Sequence, residues 1–289
     1  MSKYFDMTHK RQEVPIAGLR RPSAGVEEVL EVVRQKVRSG NGDAEDFNNH
    51  RLANCRNHPL PKWADQPVVF RNGEVLEAAS EAYRMLRTRL MRLLKASGNR
   101  SIVLSSSMPS EGKTLTTLNL ALCCAQIQGL NVLTIDADLR NRGLSRMLGE
   151  PSGPGLTQVL NRQADLDNAI LSCDVPNLYF LGSGPNANYA PELFAGDRWK
   201  ELIGLCAENF QMILVDAPPV LPLSDFELIA HGCDNILVVV RAHGASRELS
   251  KQAAQHIDQT KMLGIVFNSV DRYEHTAYND KYYGTIQNK

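Results

Sequence analysis

The sequence predicts an α/β fold, a mostly parallel central sheet with helices on both faces. Three observations carry that expectation. Short, almost continuously apolar runs recur between helical stretches. The first of them opens into a loop of small residues ending in Gly112-Lys113-Thr114. Acidic residues stand at the ends of two others. Strands without polar alternation are buried on both sides, which is the mark of a parallel sheet. Ligands of such sheets bind at the carboxyl ends of the strands, where the loop and the acidic residues fall.

The chain has 289 residues, enough for one such domain and an extension. Residues 1–75 read as a partly disordered N-terminal extension. It holds one short helix from Val26 to about Arg38, broken at Ser39-Gly40-Asn41-Gly42, and a polar stretch from Asn48 to Gln66. The first residues lack the apolar centre of a signal peptide, and no apolar run approaches the ~20 residues of a membrane span. Any membrane association is therefore expected to come through a partner. From Gly73 onward Leu76, Ala79, Tyr83, Leu86, Leu90, Leu93 and Leu94 recur at helical spacing, and Gly98 closes that helix. Strands are expected at 101–104, 132–135, 178–181, 212–215, 236–240 and 263–267. A domain over 76–268 and a tail over 269–289 complete the expected organisation.

Lys plus Arg and Asp plus Glu both number 32, so the formal net charge is zero. A nucleic-acid partner, which asks for a basic face, is not expected. The six cysteines form no C-x-x-C pair and no histidine cluster has zinc spacing, so no metal–thiolate site is expected. Cys123 and Cys124 sit in an apolar helical pattern and read as core.

Ser107-Met108-Pro109-Ser110-Glu111-Gly112-Lys113-Thr114 follows the first strand and opens a helix at Leu115. It fits the phosphate-loop pattern G-x-x-x-x-G-K-[ST], with Ser107 in place of the first glycine. Backbone N–H groups of such a loop point at phosphate oxygens. Lys113 reaches the β- and γ-phosphates, the Thr114 hydroxyl suits Mg²⁺, and Gly112 permits close backbone approach. ATP and Mg²⁺ are the expected ligands.

The strand at 132–135 ends in Asp136-Ala137-Asp138-Leu139-Arg140, and that at 212–215 in Asp216-Ala217-Pro218-Pro219. A strand-end aspartate often caps the next helix. That explains one such position, but not two strands with a phosphate loop beside them. Carboxylates there hold Mg²⁺ and its waters, and one can accept a proton from an attacking hydroxyl. Arg140 is a candidate for neutralising phosphoryl charge.

These residues resemble the bacterial tyrosine kinases, the cytoplasmic autokinases of capsule and exopolysaccharide export. Ser106 to Thr114 matches the family's modified Walker A, S-x-x-P-x-E-G-K-[ST]. Leu133 to Arg140 matches its Walker A′, hhh-D-x-D-x-R, and Ile213 to Pro219 its Walker B, hhh-D-x-P-P. Glu81, Arg84 and Arg87 match its oligomerisation motif, E-x-x-R-x-x-R. The similarity covers roughly residues 76–289. Asn141-Arg142-Gly143 departs from the basic residue and proline usual after Arg140, and Leu115 stands where a small polar residue is common.

The resemblance implies a protein-tyrosine kinase using Mg-ATP. It implies a nucleotide site of Ser107, Pro109, Ser110, Glu111, Gly112, Lys113, Thr114 and Leu115, with Asn268 against adenine. Asp136 is then the proton acceptor, Asp138 and Asp216 are water-mediated Mg²⁺ ligands beside Thr114, and Lys113 and Arg140 neutralise charge. It also implies a homo-oligomer such as a ring, a membrane-anchored polysaccharide co-polymerase as activator, and a tyrosine phosphatase. The location is then cytoplasmic, at the inner face of the plasma membrane. Two other readings share the nucleotide loop. One is a Min/Par positioning ATPase, which carries a second lysine where this chain has Met108; the other is a nucleotide-binding scaffold without kinase activity.

Four of the eight tyrosines, Tyr273, Tyr278, Tyr282 and Tyr283, fall after the last strand among polar residues. The 10 to 15 residues from Asn268 to Tyr278 or Tyr283 extend about 33 to 50 Å at ~3.3 Å each. That reach suits a neighbouring subunit's site, so autophosphorylation in trans is expected.

Overall fold

The computed structural model describes residues 55–63, 68–70, 77–149, 151–185, 191–221, 225–242, 244 and 247–269. The helix expected from Val26 and the four tail tyrosines lie outside them.

The elements in chain order are β1 (Arg56–His58), α1 (Glu77–Ser97), β2 (Ser101–Ser106), α2 (Lys113–Ala125), β3 (Val132–Asp136), α3 (Gly143–Met147), α4 (Leu156–Leu160), α5 (Leu166–Ala169), β4 (Leu171–Cys173), β5 (Leu178–Leu181), α6 (Glu192–Ala195), α7 (Asp197–Asn209), β6 (Met212–Asp216), α8 (Asp225–His231), β7 (Asn235–Arg241), α9 (Arg247–Gln255) and β8 (Met262–Asn268). The eight strands form one sheet in the order β1-β4-β5-β3-β6-β2-β7-β8. All neighbours pair in parallel except β4 and β5, which are antiparallel. The six strands read from sequence are all present.

Alternate residues of the central strands feed two cores. Leu133, Ile135 and Val215 face a layer containing Trp199, Phe210 and Phe226. Ile102, Leu104 and Leu214 face a layer containing Leu90, Leu94, Leu118 and Leu122. Helix α2 lies between the sheet and α1, and eleven of its thirteen residues are buried, Cys123 and Cys124 among them. Burial on that scale is why the segment carries so few charges. Gly98 closes α1 with φ 77°, a left-handed conformation that glycine adopts without strain.

Two short strands, β1 and β4, are additions to the sequence reading. β1 is an edge strand of three residues, Arg56-Asn57-His58, paired with β4. Polar composition hides it, because an edge strand with exposed sides needs no apolar pattern. Trp63, Val68, Val69 and Phe70 are likewise buried in the α2-side core. Residues 55–63 and 68–70, read from sequence as part of an extension, thus pack with the described residues of the α/β unit.

Glu81 and Arg84 form the expected exposed pair on α1, at 3.5 Å with side chains 63% and 43% exposed. Arg87 does something else within the chain. Its Nη1 donates to the Cys123 carbonyl at 2.7 Å, one of the carbonyls left over at the C-terminus of α2. Arg87→Met strands that carbonyl and should cost about 1–3 kcal/mol. Arg84→Ala should be nearly neutral to folding, as exposed pairs are worth ~1 kcal/mol or less. Thermal denaturation of the two variants in parallel checks the contrast; equal melting temperatures would dismiss a structural role for Arg87.

Candidate active site

The first-strand loop is held from below and behind. Ser105 Oγ donates to the Pro218 carbonyl at 2.6 Å, and the amides of Val220 and Leu221 donate to Ser106 and Ser107. Glu111 is buried, and its Oε2 accepts the Met108 amide at 2.9 Å, closing the loop on itself. Ser110 has φ 68° and Gly112 φ 95°. A left-handed serine is uncommon and belongs to loops whose amides must turn inward. A Cβ at Gly112 would lie 2.0 Å from Asn268 Nδ2, so the position accepts only glycine. Lys113 and Thr114 then begin α2.

Parallel register brings the carboxylates together. Asp136 of β3 pairs with Asp216 of β6, and Leu104 of β2 pairs with Asp216 on its other side. Asp136 and Asp216 are fully buried, Asp138 nearly so. Lys113 Nζ donates to Asp138 Oδ2 at 2.8 Å and contacts Asp216 Oδ1 at 3.4 Å. Thr114 Oγ1 donates to Asp216 Oδ2 at 2.8 Å. One oxygen of Asp136 accepts the Ser145 amide at 2.7 Å; the other, Oδ1, is buried without a hydrogen-bond partner. A cleft of about 490 Å³ opens above, lined among others by Pro109, Ser110, Gly112, Lys113, Thr114, Leu115, Asp138 and Arg140.

The charges compete. Burial opposes the Lys113 ammonium, but Asp216 and Asp138 outweigh it and hold its pKa above the ordinary value. Burial raises the Asp216 carboxyl against the pull of Lys113 and the Thr114 hydrogen bond. Burial and the neighbouring Asp216 push Asp136 up to about 7, against the Ser145 hydrogen bond and Lys113.

Not every expected residue faces the cleft. Arg140 does, and its Nε contacts Asp225 Oδ2 at 3.3 Å. Asn268 instead donates through Nδ2 to the Glu111 carbonyl at 2.9 Å, and its Oδ1 accepts the Ser269 amide. It braces the phosphate loop, and its second N–H and second oxygen lone pair are the groups an adenine contact would use. Ser107 is buried in the loop base and Glu111 is its internal clamp. Three partners were not read from sequence: Ser145 holds Asp136, Ser183 accepts from Arg142 Nε at 2.9 Å and pairs with Ser145 Oγ at 3.0 Å, and Asp225 holds Arg140. Serines and a distant aspartate carry no local motif; only the fold brings them in.

The donor set fits a nucleotide with its divalent cation. A threonine hydroxyl and two carboxylates are hard oxygen ligands suited to Mg²⁺. The unpartnered buried oxygen of Asp136 is a group awaiting a partner. The fold and loop define a P-loop nucleotide-binding protein with its acidic groups on two adjacent strands.

Comparison with known proteins narrows the class. The model of the CobQ/CobB/MinD/ParA nucleotide binding domain matches residues 102–288. The tyrosine-protein kinase YwqD of Bacillus subtilis (strain 168) is 31% identical over 211 residues, 72% of this chain and 88% of that protein. The putative tyrosine-protein kinase EpsB of Ralstonia solanacearum is 31% identical over 273 residues, 89% of this chain but 36% of that protein. The solved BceF tyrosine kinase domain superposes with a TM-score of 0.59 at 26% identity, covering 88% of this chain and 93% of that one. The chain belongs to the CobQ/CobB/MinD/ParA nucleotide-binding domain family and, within it, to the bacterial tyrosine-protein kinases. It spans most of YwqD and about a third of EpsB.

Two outcomes test the site. In nucleotide- and metal-free protein, an Asp136 pKa raised to about 7 means the folded state binds a proton there that the unfolded state releases near 4. Stability therefore falls as pH rises from about 4 to about 7, and the penalty is complete above that. Asp136→Asn should melt higher than the parent at pH 8, with the gap closing toward pH 4. A gap independent of pH would show that Asp136 is ionised throughout. Asp225→Asn should release Arg140 and lower phosphoryl transfer about tenfold while leaving nucleotide affinity within about twofold; equal turnover would remove Arg140 from the reaction.

Proposed function

We propose that the chain transfers the γ-phosphoryl group of ATP to Tyr273, Tyr278, Tyr282 and Tyr283 of a neighbouring copy, and through that cycle regulates polymerisation and export of exopolysaccharide or capsule. The observation that carries the reading is the convergence of Lys113, Thr114, Asp138 and Asp216 within 3.4 Å contacts under an open cleft, with Asp136 in register beside them. A positioning ATPase and a non-kinase scaffold would share the loop. Family membership and the tyrosine cluster favour the kinase.

Each group has a task. Loop amides and Lys113 grip the phosphates, so Lys113 must exchange part of its hold on Asp138 and Asp216 for phosphate oxygens. Thr114, Asp138 and Asp216 would hold Mg²⁺, which supplies charge neutralisation on the β- and γ-phosphates. A tyrosine oxygen forms its bond to the γ-phosphorus as the bond to the ADP oxygen breaks, and the tyrosine proton passes to Asp136 Oδ1. Arg140 offsets charge on the equatorial oxygens. Each phosphate added puts about −1.5 to −2 charges on the tail. Such a tail is repelled by Asp136, Asp138 and Asp216, so it leaves, and the oligomer loosens.

Glu81 and Arg84 are the proposed contact between subunits, with Arg87 shared between that contact and the Cys123 carbonyl. A membrane-anchored co-polymerase as activator and a tyrosine phosphatase as the reverse enzyme complete the proposed cycle. No described helix is long and apolar enough to cross a membrane, and placement at the inner membrane face rests on that proposed activator.

The test mixes two chains. Lys113→Met with an intact tail should be labelled from radioactive ATP by an active chain whose four tail tyrosines are phenylalanine. Label confined to the active chain, outside its tail, would reject phosphorylation in trans. In the same protein Arg84→Ala should lower the light-scattering mass, and an unchanged mass would remove this helix from the subunit contact.

A further inference from the structure

The Asp136 carboxylate is held through Ser145, whose backbone amide donates to it at 2.7 Å and whose side chain also hydrogen-bonds to it. Ser145 sits in α3, which has five residues and no side-chain cap at its N-terminus. A helix of one turn does not hold itself in place. Its far end is held from outside. The Met147 carbonyl accepts Trp63 Nε1–H at 2.8 Å, and the Leu148 carbonyl accepts His58 Nε2–H at 2.6 Å. Both carbonyls belong to the set a helix C-terminus leaves unpaired.

The two donors come from residues 55–63, and that segment is itself anchored at several points. β1 pairs with β4 over Arg56–His58. Arg56 Nη2 donates to the Asn168 carbonyl at 3.1 Å, and the Leu60 amide donates to Asp174 at 3.2 Å. The His58 ring lies against Phe180 with centroids 6.3 Å apart. Gly149, at φ 94°, brings the turn after α3 to within about 4 Å of His58 and Pro61 for any added Cβ. Trp63 itself is buried. The same short helix borders the site at both ends: a Cβ at Gly143 would meet Thr114 Oγ1 at 3.1 Å, and Met147 lines the cleft.

We propose that residues 55–63 form a positioning strap for the phosphoryl-transfer site, in which Trp63 and His58 clamp the C-terminus of α3 so that Ser145 presents its amide to Asp136. The proposal rests on the reading of Asp136 as proton acceptor. Trp63 and His58 touch neither substrate nor reacting atoms and act through α3. The strap has no motif of its own, and its two residues lie 84 and 90 positions before the carbonyls they bond.

The experiment pairs hydrogen exchange with turnover in the full chain. Trp63→Phe and His58→Leu each delete one donor, while His58→Gln keeps a donor at that position. Trp199→Phe is the matched control, because it deletes an indole bond to a helix-end carbonyl, Ile229 at 2.8 Å, on the other face of the sheet. Trp63→Phe and His58→Leu should speed exchange of the Ser145 amide about tenfold or more and lower kcat for tyrosine phosphorylation about tenfold, with KM for ATP within about twofold. His58→Gln should restore both, and Trp199→Phe should move neither. Unchanged Ser145 exchange in both strap variants overturns the strap. Faster exchange with unaltered kcat overturns its role in positioning. Faster exchange in a chain whose parent phosphorylates no tyrosine overturns the proton-acceptor reading while supporting the clamp on α3.

Discussion

Asp136 and Asp216 lie side by side at the ends of adjacent strands, fully buried, and the rest of the site is arranged around that juxtaposition. Two carboxylates at such a spacing cannot both be ionised without a cation or a shared proton. The chain supplies one cation from within, Lys113, at 2.8 Å from Asp138 and 3.4 Å from Asp216. Lys113 faces three acids, so the unliganded site carries surplus negative charge whenever all three are ionised. That surplus is what a divalent cation would offset in the proposed reaction. It is also why the ammonium stays charged although it is buried.

The surplus has a structural counterpart. A site with unbalanced charge needs its groups held apart by the fold, and the strands do this at no local cost, since register is fixed by core packing on both faces. Loops then supply what strands cannot. Ser110 and Gly112 take left-handed conformations so that amides converge, and Glu111 ties the loop to its own Met108 amide. The Asp136 side of the site leans on a helix of only five residues, α3, whose C-terminus is bonded by a segment from near the start of the described chain. Rigidity is thus borrowed where the local sequence cannot provide it.

What could be read from the sequence follows from how local the cause is. The six main strands were legible because burial on both faces demands unbroken apolar runs. The phosphate loop and the three aspartates were legible because their spacing is set by one strand end each. β1 was not, since Arg56-Asn57-His58 is an exposed edge whose only requirement is a free backbone. Ser145, Ser183 and Asp225 were not, because their roles come from contacts 9 to 85 residues away in sequence. Asn268 was placed near the nucleotide by resemblance. The contact the structure adds, from Asn268 to the Glu111 carbonyl of the phosphate loop, carries no signal in the local sequence.

That placement of Asn268 links the end of the domain to its centre. The tail begins directly after β8, and the last residue of β8 donates its side chain to the phosphate loop at 2.9 Å. Phosphates drawn into the loop act on the Glu111–Gly112 backbone, and Gly112 leaves no room there for anything but the Asn268 amide. Any shift of the loop on binding ATP is therefore felt at the root of the segment that carries the tyrosines. In the proposed trans cycle, a tail held in a neighbour's cleft and a nucleotide held in the tail's own chain would both bear on this one hydrogen bond, which ties the root of each tail to its own phosphate loop.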